Sequence, residues 1–283
     1  MRPFQYKDVV DRVNLCLAEI KSWMISNYMK LNESKTELLV LGKPLVLEKC
    51  DMEVTLQFGS TTITPSDCKG DNWTSLGVKL DRNLNMERQI NSVRQGCYWK
   101  LNNIQRIGNY LDEKVKLMLV KTLVISKIDY CNALYMNLPK TRIKKLGSVL
   151  NCCIRFIYNI KDKNVDLVPY YNRAHILSIE KRIFFKVCLL CHKVVYDVAP
   201  DYLKELVEMD EPTSSCSTRS KPAADDLRMK LPKVSKTKIG DRRFSVFAPE
   251  TWNSLPYSLR RCFNIDSFKR HLKTYLFEDS VEI

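Results

Sequence analysis

Residues 27–42 read NYMKLNESKTELLVLG. The first residues close an amphipathic pattern, the middle is a polar turn carrying Lys35, and the end is an apolar run. Upstream, Val9, Val13, Leu17, Ile20 and Met24 recur at helical spacing, which predicts a helix over 8–29 packed by one face. Downstream, TELLVLG reads as a strand, and its near-continuous apolar character predicts burial on both faces. A helix, a turn and a strand in succession set the expectation of a mixed fold.

Working outward, EVTLQFGSTTI alternates Val54, Leu56 and Phe58 before Gly59 and Ser60, a hairpin signal, and WTSLGVKLD at 73–81 supplies another strand. After Asp81 the period changes. Met86, Ile90, Val93, Cys97, Leu101 and Ile104 form a helical stripe. Asp112 is an N-cap candidate for a second helix through about Lys127, and Ile143, Leu146, Leu150, Cys153 and Ile157 mark a third over 140–159. Three helices in a row predict a bundle. Further helices are expected at 174–197 and 264–277, separated by the polar, Pro/Ser-rich EPTSSCSTRSKPAADD. The fold class expected is α+β in three parts: 1–90 with a small antiparallel sheet, a helical bundle at 91–165, and a mostly helical 166–283 with a polar loop near 209–240.

The charge is unevenly distributed. The chain of 283 residues carries +14. Residues 1–90 hold 12 Lys/Arg and 12 Asp/Glu, residues 91–165 hold 14 and 4, and residues 166–283 hold 20 and 16. A surplus of +10 confined to one segment points to a polyanionic partner. Eleven scattered cysteines, several within apolar helical patterns, suit a reducing compartment. The first residues, MRPFQYKDVVDRV, contain no apolar core of signal-peptide length, and no apolar run reaches membrane-spanning length. The expectation is an intracellular protein of nucleus or cytoplasm with no membrane partner.

The blocks WMISNYMKLNESKTELLVLG, SLGVKLD, LVISKIDYCNALYMNLP, FSVFAPETWNSLPYSLR and FKRHLKTYLF, in this order, resemble the downstream half of non-LTR (LINE-type, jockey-like) retrotransposon reverse transcriptases. The resemblance implies an end-of-palm region, a helical thumb and a downstream region. It places Lys35 where the family's lysine protonates the pyrophosphate leaving group. It places Leu76 and Gly77 in a primer-grip-like hairpin, where glycine lets backbone approach the primer end. The basic bundle matches the thumb, and Arg94, Lys100, Arg106, Lys114, Lys116 and Lys121, interleaved with Tyr98 and Trp99, become candidate contacts to template–primer phosphates. RNA, DNA or RNA–DNA hybrid, read with little sequence specificity, are the partners implied.

The family uses Mg2+ held by palm aspartates in a YADD- or FADD-type box. Nothing upstream of Asp8 matches that box, and Asp8 and Asp11 lie at helical spacing that suits a solvated helix start. The chain therefore reads as beginning in mid-palm, with fingers and catalytic aspartates absent, no metal site and no cofactor of its own. Lys35 would then be orphaned, unless a separate polypeptide supplies the missing palm and fingers; a protein-interaction module is the other alternative. CLLCH at 188–192 has the C-x-x-C-H spacing of haem attachment or partial metal ligation, but it falls in an apolar helical stripe and reads as buried helix. No Ser/His/Asp or Cys/His nucleophile arrangement is evident.

Overall fold

The computed structural model describes residues 6–30, 32, 36–41, 55–58, 61–64, 73–210, 227–232 and 240–278. The described residues are mostly helical, with two small antiparallel hairpins, so the class is α+β. The chain forms two compact units, residues 1–89 and 90–283, and the second takes in both the 91–165 and 166–283 segments.

In the first unit, α1 (Tyr6–Ser26) lies on a hairpin of β1 (Leu56–Phe58) and β2 (Thr61–Ile63), in which Leu56 is level with Ile63. Leu56 and Ile63 are buried and pack with Val10, Leu17 and Leu38. The Gln57 N–H donates to Asn14 Oδ1 at 3.0 Å, which fixes the helix along the strand. The expected Gly59-Ser60 turn lies outside the described residues. The strand expected in TELLVLG does not form over 36–41. A strand needs a neighbour for its backbone groups; Leu38 packs against the small core of Leu56 and Ile63.

The 73–81 run, one strand by its pattern but a hairpin by the resemblance, folds back on itself as β3 (Trp73–Ser75) and β4 (Val78–Leu80), with Ser75 opposite Val78. Leu76 and Gly77 form the two-residue turn with φ of 47° and 78°. Positive φ at both central residues is the primed geometry that matches strand twist. Beyond the hairpin, the Asp81 carboxylate accepts from the N–H groups of Asn85 at 2.7 Å and Met86 at 2.8 Å, just ahead of α2 (Glu87–Arg106).

In the second unit, α2 buries Ile90, Val93, Cys97, Leu101 and Ile104, the stripe read from sequence. It runs parallel to α5 (Lys140–Ile157): Lys145 Nζ reaches Asn91 Oδ1 at 3.5 Å, and seven residues further along each helix Tyr98 Oη lies 3.9 Å from Cys152 Sγ. Asp112 caps α3 (Glu113–Leu119) as expected, accepting from Val115 N–H at 2.7 Å. The helix continues through a π segment (Val120–Ile125) into α4 (Ser126–Asp129). The wider turn brings Val120, Val124 and Ile125 all into the core. Gly108 sits under Phe156, and a Cβ there would come within 2.8 Å of the ring.

The helix expected at 174–197 forms over 179–195, and a separate short helix ends just ahead of it. α6 (Val168–Ala174) ends at His175, whose φ of 50° is left-handed, and α7 (Ile179–Val195) starts from Ser178, whose side chain caps Lys181 N–H. α7 buries Ile183, Phe184, Val187, Cys188, Cys191 and His192. The short α8 (Asp201–Lys204) follows. FSVFAPETWNSLPYSLR, given no secondary structure in the sequence reading, forms α9 (Phe244–Asn253) and α10 (Tyr257–Arg260). α11 (Ile265–Glu278) closes the core with Phe268, Leu272 and Leu276.

That last motif is a structural latch. Trp252 is fully buried and its Nε1–H donates to Leu227 O at 2.7 Å. The Asn253 amide pairs both ways with the Met229 backbone, at 2.7 and 3.0 Å. The buried Arg260 guanidinium donates to Leu255 O at 2.7 Å and Asn253 O at 3.0 Å, satisfying carbonyls at the α9 C-terminus where a cation is favoured. Replacing Arg260 by Met would keep the packing but strand those carbonyls. Urea denaturation of Arg260→Met should show a loss of about 1–3 kcal/mol, and an unchanged midpoint would show that the latch carries no weight.

Candidate nucleic-acid interface

The expected phosphate contacts divide by position. On α2, at about 100° per residue, Arg94 and Lys100 flank opposite edges of the buried stripe and Arg106 lies on the outward side. Arg94 and Arg106 are exposed and Lys100 is half-buried. The Arg94 guanidinium lies 5.6 Å from the centre of the Tyr98 ring. Gln95, Trp99, Asn102 and Arg106 share the outward face, and Trp99 is 67% exposed. An exposed indole between amides and a guanidinium suits a sugar or base face beside a phosphate.

Lys114 is exposed on α3. Lys116 is not a surface cation: it is buried, donates from Nζ to Asn159 Oδ1 at 2.8 Å, and lies 5.3 Å from the Phe156 ring centre. Its helical phase points it inward, and the pairing with Asn159 is invisible from local spacing. Lys121 is exposed on the π segment. Partial burial, then the charges of Lys273 and Arg182, hold its ammonium below the ordinary lysine value. Arg182 is itself paired with Asp129, Nε to Oδ1 at 2.7 Å. Lys121 thus meets cations from α7 and α11, a convergence that no segment-by-segment reading reveals.

The start of α5 was missed in the sequence reading. Lys140, Arg142, Lys144 and Lys145 fall in its first six residues, and its first turn carries no acidic residue. Cations at a helix N-terminus oppose the backbone dipole. Lys140 and Lys144 are exposed, so nothing in the core requires them. The available signal was the basic run KTRIKK placed directly after Pro139.

In the first unit, Leu76 and Gly77 occupy the β3–β4 turn, where Leu76 is 87% exposed and a Cβ on Gly77 would meet nothing within 4 Å. The open turn leaves its backbone approachable. Lys35 lies outside the described residues. Asp8 and Asp11 are exposed on α1. Among the described residues, no group of three or more His, Cys, Asp and Glu is placed to hold a metal.

Cys188, Cys191 and His192 of CLLCH are buried on α7. The Cys191 thiol lies 3.6 Å from Ala248 O, His192 Nε2 lies 2.8 Å from Cys262 O, and the imidazole stacks on Phe268 at 4.5 Å. Burial raises both thiols' pKa and lowers that of the imidazole. No described helix is long and apolar enough to cross a membrane. No family model, curated protein or solved structure matches the chain.

At the start of α5 the helix dipole sets stability against binding. Lys140→Glu with Lys144→Glu should stabilise the free chain by a few tenths to about 1 kcal/mol, while weakening its hold on an RNA–DNA hybrid. Thermal melts beside anisotropy titrations would check both signs, and destabilisation would show that these lysines serve the fold.

Proposed function

We propose that the chain is a reverse transcriptase-derived protein of the non-LTR retrotransposon kind, whose helical unit grips a template–primer duplex or hybrid through its phosphates. The observation that carries this reading is the concentration of +10 within residues 91–165, on a helical scaffold where Arg94, Arg106, Lys114, Lys121, Lys140 and Lys144 are all exposed. Phosphate tracking needs long cations on rigid elements and no fixed pattern of base-reading groups. The exposed Trp99 on the same helical scaffold suits such a ligand. In this reading the chain by itself binds and does not polymerise. Lys35 acts as a general acid only where metal-binding carboxylates are brought to it.

Titration of a fluorescent RNA–DNA hybrid across a salt series tests the proposal. If about four to six cations touch phosphates, log K should fall against log salt with a slope of roughly −4 to −5. Changing Arg106, Lys114 and Lys121 to Glu should weaken binding for every sequence and flatten the slope. The same change at Lys43, Lys49 and Lys69 should do much less. Equal losses from the two triple variants would show that net charge alone drives binding, and the thumb-like assignment would fall.

A further inference from the structure

Besides the singly exposed Leu15 and Ile25, the apolar residues of α1 include two adjacent stripes, and one is covered. Val10 and Leu17 rest on the β1–β2 hairpin. Val9, Val13, Cys16, Ile20 and Trp23 recur at steps of four, three, four and three, a mean period of about 3.5 that marks the seam of paired helices. At about 100° per residue this seam lies roughly a quarter-turn from the hairpin side. Val13, Cys16, Ile20 and Trp23 are exposed, Trp23 by 61%. Such a run is unfavourable in water unless something covers it.

Charges on the rim of the seam indicate the occupant. On the edge away from the hairpin stand Arg12 and Glu19, seven residues apart and both exposed. If two copies of α1 paired in parallel, these would face the apolar Val10, Leu17 and Met24 of the other copy and gain nothing. In an antiparallel pair, edges of the same kind meet. With Val13 level with Cys16 of the second copy, and Val9 level with its Ile20, Arg12 of each copy faces Glu19 of the other. The next antiparallel register, with Val13 level with Trp23, sets Glu19 against Glu19. Residues 1–90 carry equal numbers of acidic and basic groups, so the +14 of the chain is not concentrated where the copies would meet.

We propose that α1 is a self-association helix that joins two copies of this chain in an antiparallel pair, with Arg12 and Glu19 selecting the register. The 21 residues of α1 span about 32 Å, enough for several core layers. The pairing is independent of nucleic-acid binding, and either can fail without the other.

Sedimentation velocity of the full chain, from roughly 1 to 100 μM, tests this. The wild type should move from its 33.1 kDa monomer toward twice that mass as concentration rises. Ile20→Glu changes an exposed residue, so circular dichroism should be unaltered while association weakens by at least about tenfold. Arg12→Glu should also weaken it, and Arg12→Glu combined with Glu19→Arg should restore it. A wild-type monomer at every concentration, or a dimer indifferent to Ile20→Glu, would overturn the proposal. Failure of the double swap to rescue would overturn the antiparallel register.

Discussion

α7 carries apolar or aromatic residues around almost its whole circumference, and a helix of that kind must be enclosed. Enclosing it organises the second unit. α5 and the Asn132–Tyr135 turn lie against it from upstream, and α9 and α11 from downstream. His192 lies within this enclosure, stacked on Phe268 and within hydrogen-bonding distance of Cys262 O. The C-terminal helices are therefore walls of the same core that supports the basic helices. Cys188 and Cys191 act as small apolar side chains at its centre, with their thiols pushed up by burial.

Cations in this unit have two different uses. Lys116 and Arg260 are enclosed and bonded, Lys116 to Asn159 and Arg260 to carbonyls of the α9 end, so their charge serves packing. Lys121, Lys140 and Lys144 stand where the fold derives little from them. Lys121 is crowded by Lys273 and Arg182, and Lys140 sits at the unfavourable end of a helix dipole. A count of Lys and Arg along the chain cannot separate these two groups, because the difference lies in tertiary neighbours.

The helical stripes were legible in sequence because α2 and α5 each bury a single face: every residue named from Ile90 to Ile104 and from Ile143 to Ile157 is in the core. The Asp112 cap was legible for a similar reason, being decided within three residues. The errors have physical causes. TELLVLG has the apolar content of a strand, but pairing depends on a partner that composition cannot supply. In WTSLGVKLD the residue pattern alone reads as one strand, because Leu76 is a poor match for a left-handed conformation; only the resemblance points to the hairpin. The π segment follows from core packing of Val120, Val124 and Ile125, and the FAPETWNSLPYSLR latch from contacts to Leu227 and Met229 over twenty residues upstream. Among the candidate contacts, exposure of Arg94, Arg106 and Lys114 fits the amphipathic reading, whereas Lys116 was misjudged by treating every lysine of a basic segment as solvent-facing.

In the proposed function, an exposed set of cations on the helical unit, and not charge in general, holds nucleic acid. Lysine footprinting, in which surface amines are acylated with and without a bound RNA–DNA hybrid and then mapped by mass spectrometry, tests it most directly. Lys114, Lys121, Lys140 and Lys144 should be reactive in the free chain and protected in the complex, Lys116 should be unreactive in both, and Lys7 and Lys21 of α1 should be unchanged. Uniform protection along the chain, or protection confined to residues 1–89, would contradict the account.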